Sequence, residues 1–403
     1  MAISGAAAAQ NRVIHLTMAS FVGQANFQRL GKLIANWNKQ HPTIQVSLQN
    51  VPLSELPEKY TEEINAGAGP DILHIAFVWA GPLAQAGDLL SLNKLEKKDP
   101  IGGSFNNYHA LPINKYRGQV YGLPWNIDDL SLLYQPKQLR AAGIASPPRT
   151  WTQLLADGKK LTRNGRYGVC FAAGSKPNSN FFYLLNSYMW SNGQYLIRYE
   201  HGGSRIGVTQ SQLAGDLAYW KKFFTDKINP SVMLTINSGS NPIYETYVAG
   251  GKCALSPGGS DPETFPNYET EAKGALRTTL MPHGSAPPAS HLGGRSLAIN
   301  AHTQYPVQSW EVIKYLESAT ALGAMHYLPA ERSLAANVSV PKGEGGYKEM
   351  LPHSHSFNIY TSVGLNLPQV EAVIDSSSAA VFVGEESPST AAAAILSAVK
   401  SDH

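Results

Sequence analysis

The start of the chain alternates between two periodicities, and this restricts the fold more than any other feature. Val13–Met18 alternates as a strand, and Asn26–Gln40 places Phe27, Leu30, Leu33, Ile34 and Trp37 at helical spacing. Pro42 closes that helix, and Ile44–Leu48 alternates as a second strand. Glu58–Ala66 predicts a second helix stopped at Gly67, and Ile72–Phe77 a short apolar strand. Strand, helix, strand, helix, strand is the pattern of a parallel sheet with covering helices, an α/β architecture. Ligands of such sheets bind beyond the carboxyl ends of the strands. The turns after Met18 and after Phe77 are therefore expected at the mouth of any site.

A second block of the same kind follows. It reads as helices at Trp151–Leu161, Phe181–Ser191 and Gln210–Asp226, with strands at Tyr167–Ala172 and Lys252–Ser256. After a proline-rich loop, Ser296–Ile299 predicts a strand and Val307–Ala319 an amphipathic helix. Pro368–Lys400 is largely helical with a break near Gly384–Pro388. Two such blocks within 403 residues point to two domains.

Composition removes several function classes. No apolar stretch reaches the ~18 residues of a membrane-spanning helix. Net charge is +3 with 15% charged residues and no basic stripe visible in the sequence, so no nucleic-acid partner is expected. Nineteen Tyr, 12 Phe and 7 Trp are too many aromatics for a disordered chain. Cys170 and Cys253 cannot build a disulfide framework or a four-cysteine metal site. They read either as two unpaired thiols packed in strands, which low cysteine usage favours, or as a single bridge. Met1–Arg12 lacks a basic segment followed by a long apolar one and does not read as a signal peptide. In an exported protein the signal would already have been removed.

Catalytic signatures are missing. The sequence holds no HExxH helix, GxSxG elbow, GxxxxGK[ST] loop or GxGxxG fingerprint. Gly343–Lys348 reads as a flexible loop. His353 and His355 would share a face in a strand, but no third ligand can be placed, so both read as loop histidines. Asp128 with Asp129, and Glu385 with Glu386, are sequence neighbours. Neighbours do not straddle a glycosidic bond at the ~5–9 Å that hydrolysis needs. No catalytic residue, metal or cofactor is expected.

Several segments together resemble the extracytoplasmic solute-binding proteins of ABC importers, in the branch that includes maltose-, multiple-sugar- and glycerol-phosphate-binding proteins. They are GPDILHIAFVWAGPLAQAGDLLSLN (Gly69–Asn93), YGLPWNIDDLSLLYQPKQLRAAGI (Tyr121–Ile144) and PPRTWTQLLADGKKLT (Pro147–Thr162). GKCALSPGGS (Gly251–Ser260), GGRSLAINAHTQYPVQSWEVIKYLES (Gly293–Ser318) and LPQVEAVIDSSSAAVFVGEESPSTAAAAILSAV (Leu367–Val399) continue the series. PPxTW followed by a helix is the most distinctive. The resemblance implies a two-lobed, type II periplasmic-binding-protein fold, with hinge strands joining two mixed-sheet lobes around a ligand cleft. Mapped here, lobe one covers 12–124 plus 300–335 and lobe two 125–299 plus 345–403. It further implies a monomer outside the cytoplasm, periplasmic or lipid-anchored, that hands a small carbohydrate to the transmembrane subunits of a permease. A neutral mono- or oligosaccharide comes first. An acidic or phosphorylated sugar or glycerol derivative is the alternative ligand. A carbohydrate-active enzyme or a chemosensory receptor is the alternative role for the same architecture.

A sugar presents hydroxyls at its rim and C–H groups on its faces, so a matching site needs aromatic plates and forked polar groups. The positions that match family contact sites are Ser20, Phe21 and Gln24 in the first strand-to-helix turn and Trp79 after the third strand. Asn126 and Asp128 lie in the first crossing, and Tyr183 on the aromatic helix. Ser260 and Asp261 follow the GGS loop, and Gly294 and Arg295 lie in the second crossing. Asp261 stands where many relatives place a tryptophan, which points to a ligand with more donors or less apolar face. Arg295 replaces an aromatic or small residue and suits vicinal hydroxyls or an anionic group. The other reading of Arg295 pairs it with an acid.

Overall fold

The computed structural model describes residues 13–402 apart from 53–54, 102–103, 177–178, 201–202, 240, 341, 358–359, 361–364 and 366. It divides into two compact units. The first comprises 1–126 and 295–334, the second 127–294 and 335–403.

The first unit opens with β1 (Ile14–Ser20), α1 (Gln24–Gln40), β2 (Ile44–Asn50), α2 (Glu58–Asn65) and β3 (Ile72–Ala76). Helix α1 buries Leu30, Leu33, Ile34 and Trp37 on one stripe, each contributing about 1.5–3 kcal/mol. The Trp37 indole N–H donates to Ile44 O at 3.1 Å, tying the end of α1 to the start of β2. All seven residues of β1 pair in parallel with β2, from Ile14↔Ile44 to Ser20↔Asn50, and β1 also runs parallel to β3. Helices α3 (Ala80–Ala86) and α4 (Asn93–Lys98) follow, then the short hairpin β4 (Lys115–Tyr116) and β5 (Gln119–Val120), and then β6 (Gly122–Asp128).

The second unit continues with β7 (Leu132–Tyr134), α5 (Pro136–Ala141), α6 (Trp151–Leu161), β8 (Tyr167–Val169) and α7 (Asn180–Ser191). Next come the hairpin β9 (Ile197–Glu200) and β10 (Gly203–Ile206), α8 (Gln210–Thr225), α9 (Pro242–Ala249) and β11 (Cys253–Pro257). Helix α10 (Phe265–Glu271), β12 (Arg277–Thr279) and β13 (Ser290–His291) close this passage. The PPxTW motif has a local cause. Thr150 accepts from Gln153 N at 3.1 Å, and Gln153 Oε1 accepts from Thr150 N at 3.2 Å, which caps α6 reciprocally. Trp151 then seals the first turn, donating its indole N–H to Ser191 Oγ at 2.8 Å. Helix α6 lies directly on β8: a Cβ on Gly168 would stand 1.9 Å from Gly158 O, so glycine is required there. The core of this unit is aromatic, with Phe171 against Trp220 at 4.9 Å and Phe181 against Phe382 at 4.9 Å.

Strand β14 (Gly293–Ile299) carries the chain back. It runs antiparallel to β3 and completes a mixed sheet ordered β2-β1-β3-β14-β6, with α11 (Pro306–Leu316) and α12 (Ala319–Met325) behind it. Helix α13 (Arg332–Asn337) spans the last division, followed by α14 (Gly345–Met350), β15 (Ser354–His355) and helices at Leu367–Val383 and Pro388–Asp402. The second mixed sheet is ordered β12-β7-β11-β8.

One expectation needs correction. Cys170 and Cys253 are disulfide-bonded across 83 residues, not unpaired. Cys253 opens β11 and Cys170 follows β8, its parallel neighbour, so the sheet brings the two sulfurs together. The two compact units divide at 126/127, 294/295 and 334/335, beside mapped lobe bounds of 124/125, 299/300 and 335–345. The second differs because Arg295–Ile299 pair with β3 and so belong to the first unit's sheet. His353 ends a short 3-10 turn and His355 lies in the two-residue strand β15.

Candidate functional site

In the first unit, β1 and β3 are parallel and β14 is antiparallel to β3, with Arg295 opposite Ala76. The carboxyl ends of β1 and β3 and the start of Arg295–Ile299 therefore share one edge of the sheet, where open α/β sheets bind ligands. Ser20 ends β1 and is fully buried, and Phe21 follows it half-buried. A 3-10 turn, Phe77–Trp79, carries the chain from β3 into α3 and leaves Trp79 half-buried.

These side chains form one cluster around the Phe21 ring. His74 stacks on it at 4.8 Å and Trp79 lies tilted at 5.1 Å. The Arg295 guanidinium carbon stands over the same ring, 5.5 Å from its centroid. Ser20 Oγ and His74 Nδ1 are hydrogen-bonded at 3.0 Å, and Trp125 meets the imidazole edge-on at 5.2 Å. Burial, and secondarily the Arg295 charge, hold the His74 imidazole well below its usual range, so it is neutral near pH 7. Phe21 and Trp79 pack against the core cluster that includes Ala19, Tyr60, Leu73 and Ala298. The arrangement places two aromatic rings and one guanidinium at the edge of the sheet.

In the second unit the candidate residues lie near the carboxyl end of β11 and along the segments around it. Ser260 is buried and hydrogen-bonds Tyr347 Oη at 2.7 Å. Gly259 is confined, because a Cβ there would meet Ser256 Oγ at 2.0 Å and Tyr244 Oη at 2.7 Å. Asp261 Oδ1 accepts from Thr264 N at 2.8 Å and from Thr264 Oγ1 at 2.9 Å, so one carboxylate oxygen braces the turn leading to α10. Asp128 is half-buried, whereas Asp129 is fully buried beside Ser354 Oγ at 3.2 Å. Burial pushes the Asp129 carboxyl well above its usual range, against the lowering effect of the Ser354 hydrogen bond. Tyr183 is half-buried on α7, tilted 4.7 Å from His291 and 5.8 Å from Phe357.

Of the sequence candidates, the structure gathers Ser20, Phe21, Trp79 and Arg295 in one cluster. Gln24 stands exposed at the start of α1 and shares no ring or hydrogen-bond contact with that cluster among the described residues. Asn126 is buried on β6 beside Pro329, and Gly294 takes φ 139°, a conformation that favours glycine. His74 and Tyr347 were missed. His74 had a signal, since it is the one polar residue inside the apolar run ILHIA. Tyr347 had none, as 87 residues separate it from Ser260. Among the described residues no group of three or more His, Cys, Asp or Glu is placed to hold a metal.

Comparison with known proteins decides the family. Residues 22–322 match the family model described as bacterial extracellular solute-binding protein. The chain belongs to this family. A putative binding protein of Brucella abortus is 26% identical over 186 residues, covering 46% of this chain and 44% of that relative, so the match spans less than half its length. The maltodextrin-binding protein MdxE of Bacillus subtilis is 24% identical over 349 residues, 83% of this chain and 78% of the relative. Among solved structures, the GacH receptor of Streptomyces glaucescens, described in complex with acarbose, has a TM-score of 0.81 at 21% identity. The match covers 96% of this chain and 98% of that one. A solute-binding protein of Thermotoga lettingae bound with alpha-D-tagatose has a TM-score of 0.79 at 21% identity, covering 96% and 99%. These likenesses show the two-lobed, mixed-sheet α/β fold of solute-binding proteins.

Proposed function

We propose that this solute-binding protein is the substrate-capture component of an ABC importer. It takes up a neutral mono- or oligosaccharide outside the cytoplasm and passes it, chemically unchanged, to the transmembrane subunits of a permease. The observation that carries the reading is the Phe21–Trp79–Arg295 cluster on the carboxyl edge of the parallel strands. Its rings suit the C–H face of a sugar, and the guanidinium suits a pair of vicinal hydroxyls. In this reading Asp128, Tyr183, Ser260 and Asp261 are the candidate solute contacts of the second unit. The maltodextrin, acarbose and tagatose named for the relatives and neighbours support a carbohydrate.

Arg295 favours a second reading, in which the ligand is an acidic or phosphorylated sugar or glycerol derivative; the carboxyl groups of Asp128 and Asp261 weigh against it. A melting-temperature screen against neutral and anionic carbohydrates tests both, because a ligand that binds only the native state raises stability by mass action. Stabilisation by a neutral saccharide, recovered intact at stoichiometric level, is the expected result. Stabilisation by anionic sugars alone moves the assignment to the second reading. Product accumulating over turnovers overturns the role of receptor in favour of an enzyme.

A further inference from the structure

Residues 136–170 contain seven basic side chains and one acid, Asp157, whereas the whole chain balances 32 bases against 29 acids. The fold of the second unit joins several of them to bases from distant segments. Tyr167 N donates to Lys252 O at 2.9 Å, and Gln138 Nε2 donates to Gly251 O at 2.8 Å, so α5 and the starts of β8 and β11 share one edge. Arg163 Nη2 donates to Ala141 O at 2.8 Å and Lys160 Nζ to Gly143 O at 3.5 Å, which brings the end of α6 onto the end of α5. Lys159 bridges Asp226 at 2.8 Å and adds the end of α8, next to Lys227. Arg140, Lys160, Arg163, Arg166, Lys227 and Lys252 are all exposed. Asp226 is already paired with Lys159 and Asp157 is half-buried, so the edge is strongly positive.

Bases in the last turns of α5, α6 and α8 complement the helix dipoles. That accounts for Arg140, Lys159 and Lys160, but Arg163, Arg166, Lys227 and Lys252 lie outside any helix. The edge also lies at the opposite end of β11 from Ser260, about 17 Å away along a five-residue strand. A partner bound here leaves the candidate solute residues of this unit uncovered. We propose that this basic edge docks on an anionic lipid surface. The charges come from four separate segments on exposed side chains, which suits diffuse negative charge. The choice of a membrane over a soluble anion rests on the proposed work beside a permease.

The test uses no solute, so its failure is distinct from a failure of the carbohydrate assignment. Sedimentation of the intact protein with phosphatidylcholine vesicles containing about one third phosphatidylglycerol should show binding. That binding should disappear near 1 M salt, where the Debye length is about 3 Å. The triple variant R140Q/R166Q/K227Q removes no hydrogen bond of the described structure and should bind about a hundredfold more weakly, at roughly fivefold per charge. The first-unit variant K94Q/K97Q/K98Q lowers net charge equally and should bind within about twofold of the parent. Absence of vesicle binding at low salt, equal loss in both variants, or equal binding to pure phosphatidylcholine overturns the proposal. Tight retention on dextran sulfate without vesicle binding overturns it in favour of a soluble polyanion. Equal melting temperatures of the three proteins exclude unfolding as the cause of any loss.

Discussion

The Cys170–Cys253 bridge closes a loop of 83 residues within the second unit. The chain-entropy relation for a loop of that size gives about 4.5 kcal/mol of stabilisation at 25 °C, acting on the unfolded state. Cys170 is 0% and Cys253 1% exposed, so a reductant reaches the bond only after the unit opens. Removing the bond by C170A/C253A should therefore destabilise the second unit by about 4–5 kcal/mol, with a small further loss from the two vacated sulfur sites. Urea unfolding followed by circular dichroism and tryptophan fluorescence measures it. Both cysteines lie in the second unit, so any separately resolved transition of the first serves as an internal control. A thiol count on the denatured, unreduced protein should find none. Two free thiols, or a variant whose second-unit midpoint matches the parent, would refute the reasoning.

The other predictions concern the site and the buried titrating groups. W79A should weaken binding of whichever carbohydrate the screen identifies by about 1–3 kcal/mol; calorimetry showing unchanged affinity with a lower melting point would make Trp79 a core anchor instead. Y347F removes the 2.7 Å hydrogen bond to buried Ser260 and should cost about 1 kcal/mol in urea unfolding, more if the serine is left unsatisfied. Burial raises the Asp216 carboxyl to about 7, so the folded state binds the extra proton between pH 4 and 7 and stability falls as pH rises through that window. D216N should flatten this slope in unfolding free energies measured across the window. Burial lowers the His291 imidazole to about 3, so here the unfolded state takes up the proton and stability falls as pH drops from 6.5 toward 3. H291Q should lose less stability than the parent between pH 6.5 and 5.

What the sequence determined by itself is the part of the structure held by local forces. The alternation of periods 2 and 3.6 from Val13 to Phe77 is a property of neighbouring residues, and β1, α1, β2, α2 and β3 stand within a few residues of their predicted bounds. The edge carrying Ser20, Phe21 and Trp79 follows from it, because parallel strands end together. PPxTW was legible for a similar reason, since Thr150 and Gln153 cap α6 without help from elsewhere. Packing of distant segments decided the rest. Only the pairing of β3 with β14 sets Arg295 over Phe21, and only the pairing of β8 with β11 joins Cys170 to Cys253. The excess of bases in residues 136–170 is local and was legible, but its union with Lys227 and Lys252 into one edge needs the sheet, which brings the ends of α5, α6 and α8 to the start of β11. Hydrogen-bond ladders and ring contacts depend on distance in space, and a one-dimensional pattern holds no record of which segments the sheet will make neighbours.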